Sequence, residues 1–306
     1  MNAVEVQQLS YRYGRKTEAL QDITFDVPRG AIYGLIGPNG AGKSTLLQCC
    51  AGLRYAASGT ARIFGVDARQ RSPIVAGAMT YMAESVKLPE KMTLRQLESY
   101  IAPLHAKWDA ALATSLRERF ALDPSRKVGT FSRGEHMKAA LLCALAPRPT
   151  LLLMDEPFTG MDVMVKDDLV RGLLASATDS GTTIMVASHD LTELEAVIDH
   201  LGIISNARMV VSESMESLRA RFRRVSVQAP AEVLVAAGSD DGWLGVEQSG
   251  RRMSFMADAS RTSLMPEAMQ RRFPGAEMEF AEPTLRELLT TLAGRAGTRS
   301  PLDTRP

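Results

Sequence analysis

The stretch GPNGAGKST at residues 37–45 decides how this chain is read. Gly37, four further residues, then Gly42, Lys43 and Ser44 meet the spacing of a phosphate loop. Glycines in such a loop let backbone N–H groups turn toward phosphate, and the helix that follows, TLLQCCAGL, presents its positive end. The strand-like run AIYGLIG (31–37) leads into it, so the motif stands between a strand and a helix, where a phosphate loop works. The predicted cradle is Gly37, Pro38, Asn39, Gly40, Ala41, Gly42, Lys43, Ser44 and Thr45. Lys43 is expected to pair with the β and γ phosphates and Ser44 to ligate Mg²⁺.

Working outward, LLLMDE (151–156) is an apolar strand that ends in two carboxylates. Asp155 at the strand tip suits Mg²⁺ held through water, and Glu156, one residue on, suits a general base that polarises the attacking water. His189 follows the apolar run TIMVAS, at the carboxyl end where open α/β sheets bind ligands; it is expected to meet the γ-phosphate. Asp190 and Glu193 after it fit a helix start. FSRGE (131–135) has Ser132 and Glu135 at capping-box spacing, with Met137, Leu141, Leu142 and Leu145 as an apolar face behind them. A capped helix start with a glycine in its first turn is also an anion site, and the two readings are compatible.

The rest of the chain alternates short strands with helices. ITFDV, AIYGLIG, MTYMAE, LLLMDE, TIMVAS and LGIIS predict strands, several of them wholly apolar as in a sheet covered on both faces. Residues 89–147 contain only helix-period stretches, which predicts a helical subdomain inserted in an α/β core. Near 219 the composition shifts: RARFRR (219–224) is expected to be a solvated junction. Beyond it come RVSVQ, the turn-containing LGVEQSGRRMSFM, a helix-like SLMPEAMQRRF and AEMEFAE. PTLRELLTTLAG closes the set with Thr284 and Glu287 at capping-box spacing. These predict a small C-terminal α+β domain over 219–296, then a disordered tail over 297–306.

The order GPNGAGKST, FSRGE, LLLMDEP, SHD resembles the nucleotide-binding subunit of an ATP-binding cassette (ABC) transporter over about residues 3–218. The resemblance implies a P-loop NTPase of the ABC type over 1–218, an ATPase that closes head to tail with a second ABC ATPase subunit around ATP and Mg²⁺. It implies that Ser132 and Gly134 contact the γ-phosphate held by the other chain, that Tyr13 stacks on adenine, and that Asp162 belongs to a loop crossing the interface. Two departures stand out. The usual LSGGQ here has Arg133 for its first glycine and Glu135 for its glutamine, which requires φ below zero at 133. In YMAE (81–84) Glu84 replaces a glutamine that reaches Mg²⁺ and the membrane partner. An oxygen ligand is kept and a charge is gained, so Glu84 is expected both as metal ligand and as part of the catalytic set with Glu156, His189 and Lys43.

Bulk properties agree. A net charge of +1 over 306 residues offers no field for nucleic acid or an anionic membrane. The basic patches, RARFRR and the pairs at 251–252 and 271–272, are short and poor in aromatics, so no nucleic acid is expected as a partner. No signal-peptide pattern opens the chain, and no apolar run nears the roughly 18 residues of a membrane span. Cys49, Cys50 and Cys143 lack ligand spacing and predict small buried side chains. The segment EPTLRELL (282–289) is similar to the closing helix of bacterial exporter ATPases that are encoded apart from their permease. That likeness implies a subunit on the inner face of the cell membrane driving a permease that exports drugs, lipids or other small molecules. The alternative is a soluble ABC-type ATPase acting on ribosomes or nucleic acid.

Overall fold

The structure, a computed structural model, describes residues 1–14, 17–70, 72–189, 195, 197–228 and 242–298. The chain divides into two compact units, Met1–Ser212 and Glu213–Pro306. The first contains β1 (Asn2–Tyr13), β2 (Thr17–Pro28), β3 (Ile32–Ile36), α1 (Lys43–Cys50), β4 (Ser58–Ile63), β5 (Val66–Asp67), α2 (Pro73–Ala78) and β6 (Met79–Met82). It continues with α3 (Leu94–Ile101), α4 (Ala110–Arg119), α5 (Arg133–Leu145), β7 (Leu151–Asp155), α6 (Val163–Ser180), β8 (Thr183–Ser188), β9 (His200–Ser205) and β10 (Arg208–Ser214), the last reaching the unit's end.

Among the described residues these strands form two sheets: β2-β1-β4-β5, which is antiparallel, and β10-β9-β3-β8-β7-β6, in which β9, β3, β8, β7 and β6 run parallel. The parallel strands are apolar along their length because both faces are covered: Leu151 to Met154 and Ile184 to Ala187 are fully buried. ITFDV lies in the antiparallel sheet rather than with the other predicted strands. Its neighbour β1 escapes a period-two reading because its pairing shifts between Val6 and Leu9, where Gln8 takes φ 49°. Between β6 and β7 lie α3, α4 and α5, the helical insertion expected over 89–147.

The second unit contains α7 (Met215–Arg221), β11 (Phe222–Gln228), β12 (Trp243–Ser249), β13 (Arg252–Asp258), α8 (Pro266–Arg272), β14 (Glu277–Ala281) and α9 (Leu285–Thr298). Its strands form an antiparallel sheet β12-β13-β11-β14 over a core of Val225, Val227, Phe255, Met269 and Phe273. The capping box at α9 is formed: Thr284 N–H donates to Glu287 at 2.7 Å and Glu287 N–H to Thr284 Oγ1 at 3.2 Å. RARFRR is solvated only in part: Arg219, Ala220 and Arg224 are exposed, but its middle is not. Arg221 ends α7 and forks onto Asp258, with Nε to Oδ1 at 3.1 Å and Nη2 to Oδ2 at 3.0 Å, and Phe222 is buried at the start of β11. The helix start expected at Asp190 and Glu193 lies outside the described residues, as do residues 299–306 of the tail expected over 297–306; residues 297–298 are instead the last two of α9.

Candidate functional site

Sheet register builds the site. β3 pairs with β8, Ile36 beside Ser188, and β8 pairs with β7, Ala187 beside Asp155. The phosphate loop after β3, His189 after β8 and Glu156 after β7 therefore leave the same edge of three neighbouring parallel strands. β6 lies next to β7, with Met82 beside Met154, and brings the loop holding Glu84 to that edge.

The loop takes the turn its glycines allow. Gly42 has φ 110°, and a Cβ there would run into the Ala19 carbonyl, so no other residue fits. Lys43 is 5% exposed and its ammonium donates to the carbonyls of Gly37 at 2.7 Å and Pro38 at 3.2 Å. The same ammonium lies 3.4 Å from Glu156 Oε1. Glu156 Oε2 accepts from Thr159 Oγ1 at 3.1 Å and Ser188 Oγ at 3.2 Å, and lies 2.8 Å from His189 Nδ1. Glu156 has φ 47°, a left-handed backbone for a residue with a side chain, of the kind that persists where surroundings impose it. Asp155, 4% exposed, accepts from Ser44 Oγ at 3.0 Å. Burial pushes its carboxyl above the ordinary range, opposed by the Ser44 hydrogen bond and reinforced by the charges of Glu156 and Glu84. Ser44 and Asp155 offer only oxygen, one neutral and one anionic, which suits a hard divalent cation. Among the described residues no group of three His, Cys, Asp or Glu side chains is placed to hold an ion alone. Glu84 lines a cavity of about 220 Å³ with Ser85, Arg133, His136, Glu156 and Thr159, rather than joining the Ser44–Asp155 pair by a hydrogen bond.

Tyr13 is 41% exposed at the end of β1, its hydroxyl 3.1 Å from Thr45 Oγ1 and its ring 5.0 Å from that of Tyr11 in an edge-on contact. The remaining predicted residues face their own chain. Ser132 caps α5: its Oγ accepts from Glu135 N–H at 3.1 Å, and its own N–H donates to Glu135 Oε2 at 2.8 Å. Arg133 follows as the first helical residue, with φ below zero as its place in the signature requires. Its guanidinium lies against Gly160, where an added Cβ would fall 2.5 Å from Nη1. Glu135 pairs with Arg126 Nη1 at 2.5 Å, and that hydrogen bond holds its carboxyl below the usual range. Gly134 packs close to Val165, and Asp162 caps α6 by accepting from Val165 N–H at 3.0 Å. Thr159 and Ser188 were not singled out by the sequence, although each adjoins a motif that was.

A family model described as ABC transporter matches residues 20–159. A probable metal transport system ATP-binding protein of Chlamydia trachomatis serovar D is 33% identical over 225 residues, covering 70% of this chain and 84% of that protein. This chain belongs to the ABC transporter ATP-binding proteins. As an ABC ATPase it hydrolyses ATP, and subunits of this family dimerise and pair with membrane permeases. The daunorubicin/doxorubicin resistance ATP-binding protein DrrA of Streptomyces peucetius is 29% identical over 281 residues, 81% of this chain and 82% of its own. Among solved structures, one titled as the ATP binding subunit of an ABC transporter superposes with TM-score 0.63 at 28% identity, over 71% of this chain and 92% of its own. Among the described residues of this ABC ATPase no helix is long and apolar enough to cross a membrane.

Proposed function

We propose that this ABC ATPase is the motor subunit of an exporter for drugs, lipids or other small molecules, peripheral on the inner face of the cell membrane. One observation supports the lean to export: the match to a drug-resistance ATPase covers 81% of this chain, more than the first unit alone can supply, against 70% for the metal-transport relative. Metal and lantibiotic transport are also named among the relatives, and the permease, not this chain, would choose between cargoes.

Each residue role rests on the contacts described above. Lys43 is the cation for the β and γ phosphates; the carbonyls and the Glu156 carboxylate that hold it keep its ammonium inside the loop. Ser44 and Asp155 would hold Mg²⁺, which neutralises phosphate charge when bound, with Glu84 at the rim. Glu156 is the general base, and His189, 2.8 Å from it, orients that carboxylate and meets the γ-phosphate. Tyr13 presents a ring to adenine. Ser132 and Gly134 lie at a helix end suited to phosphate, and they act on the ATP of a second copy, with Asp162 at the same interface. Loss of the γ-phosphate removes the contacts of His189, Ser132 and Gly134 together and lets the pair open.

Tagged purification from the host's detergent-solubilised membranes, with co-purifying proteins identified by mass spectrometry, tests the assignment. Stoichiometric recovery with a multi-span permease is expected, and its cargo then decides export. Recovery only from the soluble fraction, alone or with ribosomes, would sink it. The shared site has its own test: the Glu156→Gln chain with saturating ATP and Mg²⁺ should dimerise by light scattering, and a persistent monomer would refute the trans contacts.

A further inference from the structure

Ser44 and Gln48 stand four residues apart on α1 and so share one side of that helix. Each leads to the same carboxylate. Ser44 Oγ donates to Asp155 Oδ1 at 3.0 Å. Gln48 Nε2 donates to the Tyr81 hydroxyl at 3.5 Å, and that hydroxyl donates to Asp155 Oδ2 at 3.4 Å. On its other side Gln48 Oε1 accepts from Arg54 Nε. Arg54 in turn donates from Nη1 to the Tyr11 hydroxyl at 3.0 Å and lies 4.8 Å from the centre of the Tyr13 ring.

The direction of this chain is fixed by chemistry. Arginine has no acceptor, so the Gln48 carbonyl must face it and the amide group must face Tyr81. A phenol that accepts from that amide has its one proton left for Asp155. Every bond from Arg54 to Asp155 therefore points the same way, and bonds so aligned polarise one another in a partly buried setting. The carboxylate's two oxygens are held by separate routes, one direct from Ser44 and one through a tyrosine steadied by Gln48 and Arg54.

We infer that Tyr81 is a positioning residue for Asp155, kept in place by the Arg54–Gln48 pair, and that it fixes the orientation in which Asp155 meets Mg²⁺. This rests on the reading of Asp155 as the metal carboxylate. Tyr81→Phe removes only the hydroxyl. The Mg²⁺ concentration for half-maximal phosphate release should rise about tenfold, the size typical when an outer partner of a ligand is removed. The Mg²⁺-dependent tightening of a fluorescent ATP analogue, an equilibrium measurement, should weaken by a similar factor. At saturating Mg²⁺ the KM for ATP should stay within about twofold, because the phosphate cradle is untouched. Gln48→Met should shift both readouts the same way by less, and the double variant should be no worse than Tyr81→Phe alone. Unchanged Mg²⁺ dependence in Tyr81→Phe, additive effects in the double variant, or an unshifted Gln48→Met should the tyrosine variant not fold, each overturns the inference. Asp155→Asn separates the two levels: if it keeps the parent's Mg²⁺ dependence the metal reading is wrong, and if it loses that dependence while Tyr81→Phe does not shift, only the positioning role is wrong.

Discussion

Ser132 is asked to do two things, and a pair of substitutions separates them. Within its own chain it caps α5 through the 3.1 Å bond from Glu135 N–H. Ser132→Ala leaves that donor without its acceptor, at a cost of about 1 kcal/mol. In the unit Met1–Ser212 that lowers Tm by roughly 2–4 °C. Aspartate caps as well as serine, so Ser132→Asp should melt with the parent. The proposed trans role reverses the ranking. A carboxylate about 4 Å from a phosphate charge, at an effective dielectric of about 20, is repelled by about 4 kcal/mol per site. That is roughly a factor of 10³ in the dimer equilibrium for each site. In the Glu156→Gln background with ATP and Mg²⁺, light scattering should find Ser132→Ala weakened about tenfold for each site, about a hundredfold for the pair, the loss of one hydrogen bond to a charged group at each. Ser132→Asp, the more stable of the two, should remain monomeric where the parent is fully paired. An aspartate variant that melts with the parent and also dimerises like it would refute the assignment of Ser132 to the opposite nucleotide.

Gly160 has φ 70°, and an added Cβ would meet Arg133 Nη1 at 2.5 Å. Gly160→Ala should cost about 1–2 kcal/mol in urea unfolding, with partial recovery on adding Arg133→Gly, since the clash is relieved and the backbone strain is not. Arg221→Met leaves Asp258, 1% exposed, without its forked partner, and should destabilise the second unit by about 3 kcal/mol. Burial raises the Asp258 carboxyl, but hydrogen bonds from Arg221 and Ser260 outweigh it and hold the group below the usual range. Its contribution is therefore complete above the ordinary aspartate value near 4 and fades as pH falls through the lower folded value; acid titration of the variant should show a shallower loss. Burial pushes the Cys49 thiol to about 11 and the Cys143 thiol to about 12, and Cys50 is pushed the same way. All three should resist alkylation at pH 8, read by mass spectrometry, until the chain is unfolded.

The reacting groups were legible because each is fixed by chemistry at short range: a glycine turn before Lys43, an acid pair at a strand tip, a histidine one residue past a strand. The capping boxes at Ser132 and Thr284 were legible for the same reason, both partners lying within four residues. What pairs at a distance was not. Arg221 reads as part of a basic run until Asp258, 37 positions on, is brought to it. Tyr81 stands in YMAE, where the reading rested on Glu84 alone, and Gln48 and Arg54 belong to no motif; their link to Asp155 exists only once β6 and β7 pair. β1 was hidden by its bulge at Gln8, which breaks the alternation that marks a strand.

The register of β3, β8 and β7 also has a consequence for how the chain gains activity. Ile36, Ser188 and Asp155 are far apart along the chain, yet their strands end side by side. No fragment containing one motif holds a partial site, because the groups become neighbours only when non-local strand pairing is complete. Such pairing is slow, since chain entropy must be given up before the contacts form. ATPase activity should thus recover on refolding together with the parallel sheet, after local helical signal has returned. A nucleotide that binds only the finished edge acts late, by holding the native state rather than by guiding the chain toward it.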